Sequence, residues 1–289
     1  MSPRVAVVTD STAYLPPEEV SRRGIVVVPL QMIVGGRALD DVTRTEGTSV
    51  GDMLRERGQV TTSMPAPRRF TDAYAEAAAR GATGIVSIHL SAEMSGTVEA
   101  ARAGAEHSPV PVDVVDSRSI AMGLGFPVLA AASAAAKGAT RTEVADAARR
   151  RAESIRSFFY VDTLEYLRRG GRIGAAESLL GSALMIKPIL HISDGAIVPL
   201  EKVRTASRAI ARLEDLAVEA AGTGRVEIAV QHLAARSRAE TLAARLRRRV
   251  PSLAEVIVVE VGPVIGAHVG PGMLGVTIST GEPLVSTGP

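Results

Sequence analysis

The chain has 289 residues, a formal net charge of +2, 46% hydrophobic and 22% charged residues, which argues against a disordered chain and leaves room for two cored domains. The near-neutral balance argues against a nucleic-acid footprint, and the absence of cysteine excludes disulfides, thiolate catalysis and cysteine-ligated metals. With four Tyr, four Phe and no Trp, a site that stacks on bases or sugars is poorly supplied, and an aliphatic ligand or a phosphate is the better match.

Met1-Ser2-Pro3-Arg4 runs directly into a strand-like stretch, without the apolar core and cleavage site of a signal peptide, so a cytoplasmic location is expected. Val5–Val8 reads as a strand ending in Asp10-Ser11-Thr12, and Ile25–Val28 as a second after a short helix from Pro16. Thr62-Ser63-Met64-Pro65 precedes a helix over Arg68–Ala79. Ile85–Ile88 leads to Ser95-Gly96-Thr97 and a helix through about Ala105. Val112–Val115 leads to Asp116-Ser117, and the uncharged stretch Ile120–Ala136, interrupted by Pro127, reads as a buried helix rather than a membrane span. Apolar Val/Ile runs alternating with helices predict parallel βαβ units, with a ligand beyond the C-terminal ends of the strands.

The second half reads as a strand at Phe158–Val161, a short helix over Thr163–Arg169 ended by Gly170-Gly171, and a helix over Ala175–Ile186. A hairpin follows, Ile189–Ile192 and Ala196–Val203 around Ser193-Asp194-Gly195. Helices over Ala206–Ala221 and Arg236–Arg248 alternate with strands at Val226–Val230 and Val256–Val261. The expectation is an α/β chain of two domains: residues 1–157 with a parallel, Rossmann-like sheet, and residues 158–289 with a mixed sheet. The boundary falls in the Arg-rich helix near 150–157. The runs Arg149-Arg150-Arg151 and Arg247-Arg248-Arg249 read as solvated helix faces. The stretch Val264–Gly272 sets His268 among three glycines, a composition that no periodic helix or strand needs.

Each polar motif admits two readings. Thr62 and Ser63 either present hydroxyls to an anion or start the following helix as N-caps. Ser95 is either a cap or, with Gly96 and Thr97, part of an anion site at a helix N-terminus. Asp10-Ser11 and Asp116-Ser117 suit Asx-type turns better than acid–base work, since no His or Cys partner is near in sequence. Gly170-Gly171-Arg172-Ile173-Gly174 lacks the spacing of a nucleotide-phosphate loop. Arg172 either binds an anion bidentately or pairs with Asp162 or Glu165. No metal-binding pattern is present.

Taken in order, Val8-Thr9-Asp10-Ser11-Thr12, Thr62-Ser63-Met64-Pro65, Ser95-Gly96-Thr97, Val115-Asp116-Ser117, Asp162–Leu167 running into Gly170–Ile173, Ile186-Lys187-Pro188-Ile189, Lys202–Thr205 and Ala267–Gly272 resemble the DegV family. The likeness spans essentially the whole chain. It implies a two-domain α/β protein holding one long-chain fatty acid between the domains and presenting the carboxylate to a separate ATP-binding kinase subunit for acyl-phosphate formation. By this resemblance Thr62, Ser95, Arg172 and His268 bind the carboxylate, supported by Ser63, Gly96, Thr97, Asp10 and Ser11. Leu179, Leu180, Leu184, Met185 and Ile186 are candidates for the acyl tunnel, and Arg204 for contact with the partner or, transiently, a membrane surface. Met64 stands where Gln is usual and Ala267 where Thr is common. The reading is a lipid carrier of phospholipid metabolism, with no catalytic residue, no cofactor, no metal and no nucleic acid. The alternative is a small-molecule or phosphate-handling enzyme built on anion-binding βα loops.

Overall fold

The structure, a computed structural model, describes residues 4–41 and 60–281, with the side chains of 180–185 outside that description. The chain divides into two compact units. The first holds residues 4–31 with Ser63–Ser154, and the second holds 32–41, 60–62 and 155–281. Among the described residues no helix is long and apolar enough to cross a membrane.

In the first unit four strands, β1 (Val5–Asp10), β2 (Val26–Val28), β6 (Gly84–His89) and β7 (Val112–Asp116), form a wholly parallel sheet in the order β2-β1-β6-β7. β1 and β6 are buried almost throughout, as strands covered on both faces must be. Helices α2 (Pro67–Ala79) and α3 (Thr97–Ala105) cover one face, where Phe70, Tyr74, Ala77, Ala100 and Ala101 pack with Val8, Val28 and Ile85. The uncharged stretch is indeed a buried helix, α4 (Met122–Ala136), with every residue from Met122 to Ala132 buried. α5 (Arg141–Glu153) beside it starts on a capping box between Thr140 and Glu143. Arg151 corrects the expected solvated run. It is 6% exposed and its guanidinium lies 5.8 Å from the Phe126 ring centroid. A short helix α1 (Pro17–Arg23) links β1 to β2.

The second unit carries a six-stranded mixed sheet in the order β10-β9-β8-β13-β11-β12. Its strands are β8 (Ile155–Tyr160), β9 (Lys187–Ser193), β10 (Ala196–Val203), β11 (Val226–His232), β12 (Leu253–Glu260) and β13 (Leu274–Thr280). Only β11 and β12 run parallel; β10/β9, β9/β8, β8/β13 and β13/β11 are antiparallel. The β9–β10 hairpin closes on Asp194 and Gly195, both at positive φ (51° and 83°), the conformation a two-residue type I′ turn requires. Helices α7 (Ala206–Ala221) and α8 (Arg236–Arg249) bury Leu213, Ala217, Leu242 and Leu246 against Tyr160, Ile228, Val230, Val276 and Ile278. Arg247, Arg248 and Arg249 lie exposed on α8, as expected.

Four parts differ from the sequence expectation. Gly174–Met185 is a run of 3-10 turns rather than an α-helix. The stretch around His268 does contain a helix, α9 (Pro263–Val269), opened by Pro263 at its first position. β13 escaped notice although it is central. A small sheet of β3 (Gln31–Val34), β4 (Arg37–Asp40) and β5 (Val60–Ser63), in the order β4-β3-β5, was not foreseen either.

Candidate functional site

In the second unit, Thr62 on β5 and His268 in the last turn of α9 meet across 206 positions of sequence: Thr62 Oγ1 lies 2.8 Å from His268 Nε2. The other ring nitrogen, Nδ1, is closed off from solvent and has no hydrogen-bond partner. It faces the backbone of Gly170, where any Cβ would overlap it. Burial first, and the Arg172 guanidinium second, push the imidazole pKa down from 6.5 to about 4, so the ring is neutral at neutral pH. A neutral imidazole carries one N–H. On Nδ1 that N–H would be a buried donor without an acceptor. On Nε2 it donates to Thr62 Oγ1 and leaves the Thr62 O–H free to donate onward. The second tautomer leaves only a lone pair unpaired and no buried donor, so it is the favoured one. Thr62 is thus a hydroxyl donor polarised from behind, suited to an anion.

The glycines around His268 have a specific packing role. α6 (Glu165–Arg169) and its flanks lace against the α9 segment, each glycine taking a side chain from the other: Gly170 takes His268, Gly270 takes Tyr166, and Gly272 takes Asp162. Lys187 donates to the Asp162 carbonyl (2.8 Å) and lies 3.1 Å from its carboxylate, tying β9 to the same segment. Arg172 is exposed and donates to the Gly170 carbonyl at 2.8 Å, while Glu165 is bridged by Arg168 and Arg169.

The cap readings of Thr62 and Ser63 fail. α2 begins after Ala66 with no side-chain cap, Thr62 and Ser63 belong to β5, and the Ser63 hydroxyl donates to the Met64 carbonyl. Ser95 is no side-chain cap either: the N-cap of α3 is Gly96, and Ser95 Oγ lies 2.8 Å from Thr97 Oγ1. Gly96 leaves space for the Met64 thioether, whose sulfur would stand 2.7 Å from a Cβ there. Asp10 and Asp116 are Asx-type acceptors, bonding Thr12 N–H (3.0 Å) and Arg118 N–H (2.8 Å). Ser11 is buried and its Oγ accepts from Leu30 N–H.

Sequence reasoning missed His89. It is fully buried at the end of β6, with Nδ1 3.0 Å from Asp10 Oδ2 and Nε2 2.7 Å from Ser87 Oγ. The partner for Asp10 lies 79 positions away and is supplied by strand pairing, which no local window contains. Of the tunnel candidates, Leu179 is buried and Ile186 half-buried, while Leu180, Leu184 and Met185 lie outside the described side chains. Arg204 is exposed in the bend between β10 and α7. Among the described residues no group of His, Asp and Glu could hold a metal ion.

The sequence pattern described as "Uncharacterised protein, DegV family" matches residues 4–281. The chain belongs to the DegV family. A DegV domain-containing protein of Streptomyces coelicolor is 57% identical over 97% of this chain and all of its own length, and one of Mycobacterium tuberculosis is 38% identical over 96% and 98%. Among solved structures, a DegV family protein from Thermus thermophilus described for its fatty acid binding superposes with a TM-score of 0.89 at 30% identity, covering 96% of this chain and 99% of that one. DegV of Bacillus subtilis, described as a fatty acid binding protein, gives 0.88 at 32% identity, covering 97% of this chain and all of that one. The two-unit α/β architecture, one sheet parallel and one mixed, is that of these DegV proteins.

Proposed function

We propose that this DegV protein binds one long-chain fatty acid and presents its carboxylate to a separate ATP-binding kinase subunit, in the cytoplasm and in the service of phospholipid metabolism. The observation that carries the reading is the Thr62–His268 pair: a hydroxyl whose acceptor side is occupied by a neutral imidazole, leaving its proton to a carboxylate. Arg172 adds a positive charge that the ring feels. The fatty acid binding described for the T. thermophilus and B. subtilis proteins supports the ligand class.

The energetics suit such a ligand. About 0.8 kcal/mol per buried methylene gives a fourteen-methylene chain on the order of 11 kcal/mol gross. A carboxylate leaves water only where donors replace its hydration. Ser95, supported by Thr97, is the second hydroxyl assigned to the carboxylate, and Leu179 with Ile186 to the acyl chain.

Protein purified from bacteria should carry saturated or monounsaturated fatty acid at about one per chain, as read by native mass spectrometry and organic extraction. Thr62→Ala and Ser95→Ala should each weaken binding roughly tenfold to a hundredfold, the value of one charge-assisted hydrogen bond, with the fold retained. Extracts without acyl species, together with no uptake of added palmitate or oleate, would sink the reading. A bound sugar phosphate would favour the phosphate-handling alternative.

A further inference from the structure

The strand order β2-β1-β6-β7 reverses direction between β1 and β6, and in open α/β sheets the crevice at such a reversal is where ligands enter. Here side chains occupy that point. The Asp10 carboxylate, fully buried at the end of β1, takes four hydrogen bonds: Thr12 N–H (3.0 Å) and Thr12 Oγ1 (2.5 Å) on Oδ1, Leu90 N–H (3.0 Å) and His89 Nδ1 (3.0 Å) on Oδ2. The chain continues from His89 Nε2 to Ser87 Oγ (2.7 Å), and the Tyr74 hydroxyl donates to that same Oγ at 2.8 Å. The directions agree: Tyr74 donates to Ser87, Ser87 to His89 Nε2, and His89 Nδ1–H to Asp10. Burial pushes the Tyr74 phenol up to about 12, so it stays a donor. The His89 ring also stands edge-on to Phe70 of α2, with centroids 5.0 Å apart.

Asp10, His89 and Ser87 have the order of a hydrolytic triad, but all three are fully buried and Ser87 is capped by a phenol. A nucleophile must reach its substrate, so acyl transfer is excluded for this set. The set instead holds the root of the segment that follows β6. Leu90 N–H is bound by Asp10 from one flanking strand, and Ala92 N–H by Asp116 from the other at 3.4 Å. Ser91 N–H donates to the Ser119 carbonyl, and the Ser91 carbonyl accepts from Met94 and Ser95 N–H. The Ser95–Gly96–Thr97 turn therefore hangs from Ser91, one residue beyond the clamp.

We propose that His89 is a positioning residue for ligand binding: through Asp10 it fixes the 90–97 segment and so sets where the Ser95 and Thr97 hydroxyls stand. An apolar core at this point would be no less stable, since buried charge is costly to desolvate. What the polar chain supplies is a single register for the backbone after β6. The proposal rests on the fatty-acid reading above for its consequence, though not for its geometry.

Asn reproduces the Nδ1 position of histidine and Gln the Nε2 position, which separates the two ends of the ring. His89→Asn keeps a donor for Asp10, and His89→Gln loses it while keeping a partner for Ser87. Palmitate affinity should fall about tenfold in His89→Gln and in Asp10→Asn, the loss of one charge-assisted hydrogen bond, and stay near wild type in His89→Asn. Amide hydrogen exchange over 90–95 should accelerate by at least about tenfold in the same two variants only. Val144→Ala serves as the control for general destabilisation: Val144 is fully buried on α5, whose Arg141 packs on Gly84 at the opposite end of β6. It should leave affinity and 90–95 exchange unchanged. Should wild-type protein fail to bind palmitate, the fatty-acid reading falls and the exchange data still judge the clamp. Unchanged exchange in His89→Gln, or equal losses in His89→Asn and Val144→Ala, would overturn the positioning role.

Discussion

Gly170 is where the chemistry of His268 is decided, because its missing side chain lets the Nδ1 edge of the imidazole close onto the backbone, shut off from water. Its φ of −77° suits any residue, so Gly170→Ala is a purely steric test. The new methyl would overlap Nδ1 and stand 2.7 Å from Cε1, forcing the ring off Thr62. Overpacking of this kind costs about 1–3 kcal/mol, and fatty-acid affinity should fall about tenfold with the Thr62 relay broken; isothermal titration and urea unfolding read the two. The ring also makes stability depend on pH. Its folded pKa of about 4 lies below the ordinary 6.5, so the fold favours the neutral form. That contribution is complete above 6.5 and drains away as pH falls toward about 4, amounting to at most about 3 kcal/mol. His268→Gln removes it. Wild type should therefore lose more stability than His268→Gln between about pH 7.5 and about pH 4.5 in urea titrations. Parallel pH curves for the two would show that the ring carries no such shift.

At the scale of elements, the sharpest test is the basic run of α5. Arg150 is exposed, whereas Arg151 lies under the helix against Phe126. Arg151→Ala should cost about 2–3 kcal/mol in denaturant unfolding and Arg150→Ala under about 0.5, the difference between a buried and a solvated charge. Equal effects would return the run to the solvated face expected from sequence. The reason sequence misjudged it is that a charge run alone does not say how its helix is rotated: three consecutive residues sweep about 200° of a helix that repeats every 3.6 residues, so Arg149–Arg151 can reach the buried face while Arg247–Arg249 stay exposed. Elements with apolar alternation were legible to within a few residues, Ala206–Ala221 to the residue. β13 was not, because only Leu274, Val276 and Ile278 face the helices. The opposite side is Gly275, Thr277 and Ser279, where Ser157 and Gln231 bond Thr277 at 3.0 Å and 2.7 Å. A strand with a glycine-and-hydroxyl face reads as a loop. The candidate site was half legible for a similar reason. Thr62 and His268 stood out by composition and resemblance, but their bond, the Gly170 contact and the Asp10–His89 pair depend on strand pairing and helix lacing over long separations.

For the whole molecule the question is whether it performs chemistry or only carries a ligand. The described residues bring together one Asp–His–Ser set, and it is sealed in the core. The glycine-rich stretch at 170–174 receives a histidine and leaves Ile173 buried, so it is a packing surface and not a phosphate cradle. A carrier that hands its carboxylate to a kinase needs instead an accessible contact for that partner. The proposed reading assigns that contact to Arg204, which is exposed and follows the strand that ends at Val203, where the neighbouring Glu201 is already taken by Arg212 at 2.8 Å. Arg204→Glu reverses a surface charge and should leave the fold and fatty-acid binding unchanged, since exposed substitutions typically move stability by less than about 0.5 kcal/mol. Acyl-phosphate output with the cognate kinase should fall by about tenfold or more, because like charges at a docking rim slow encounter and suppress pairing. Both quantities are measurable in one preparation, by acyl-phosphate trapping and by fatty-acid titration. Undiminished output would remove Arg204 from the interface, and ATP turnover by this protein alone would replace the carrier reading with an enzymatic one.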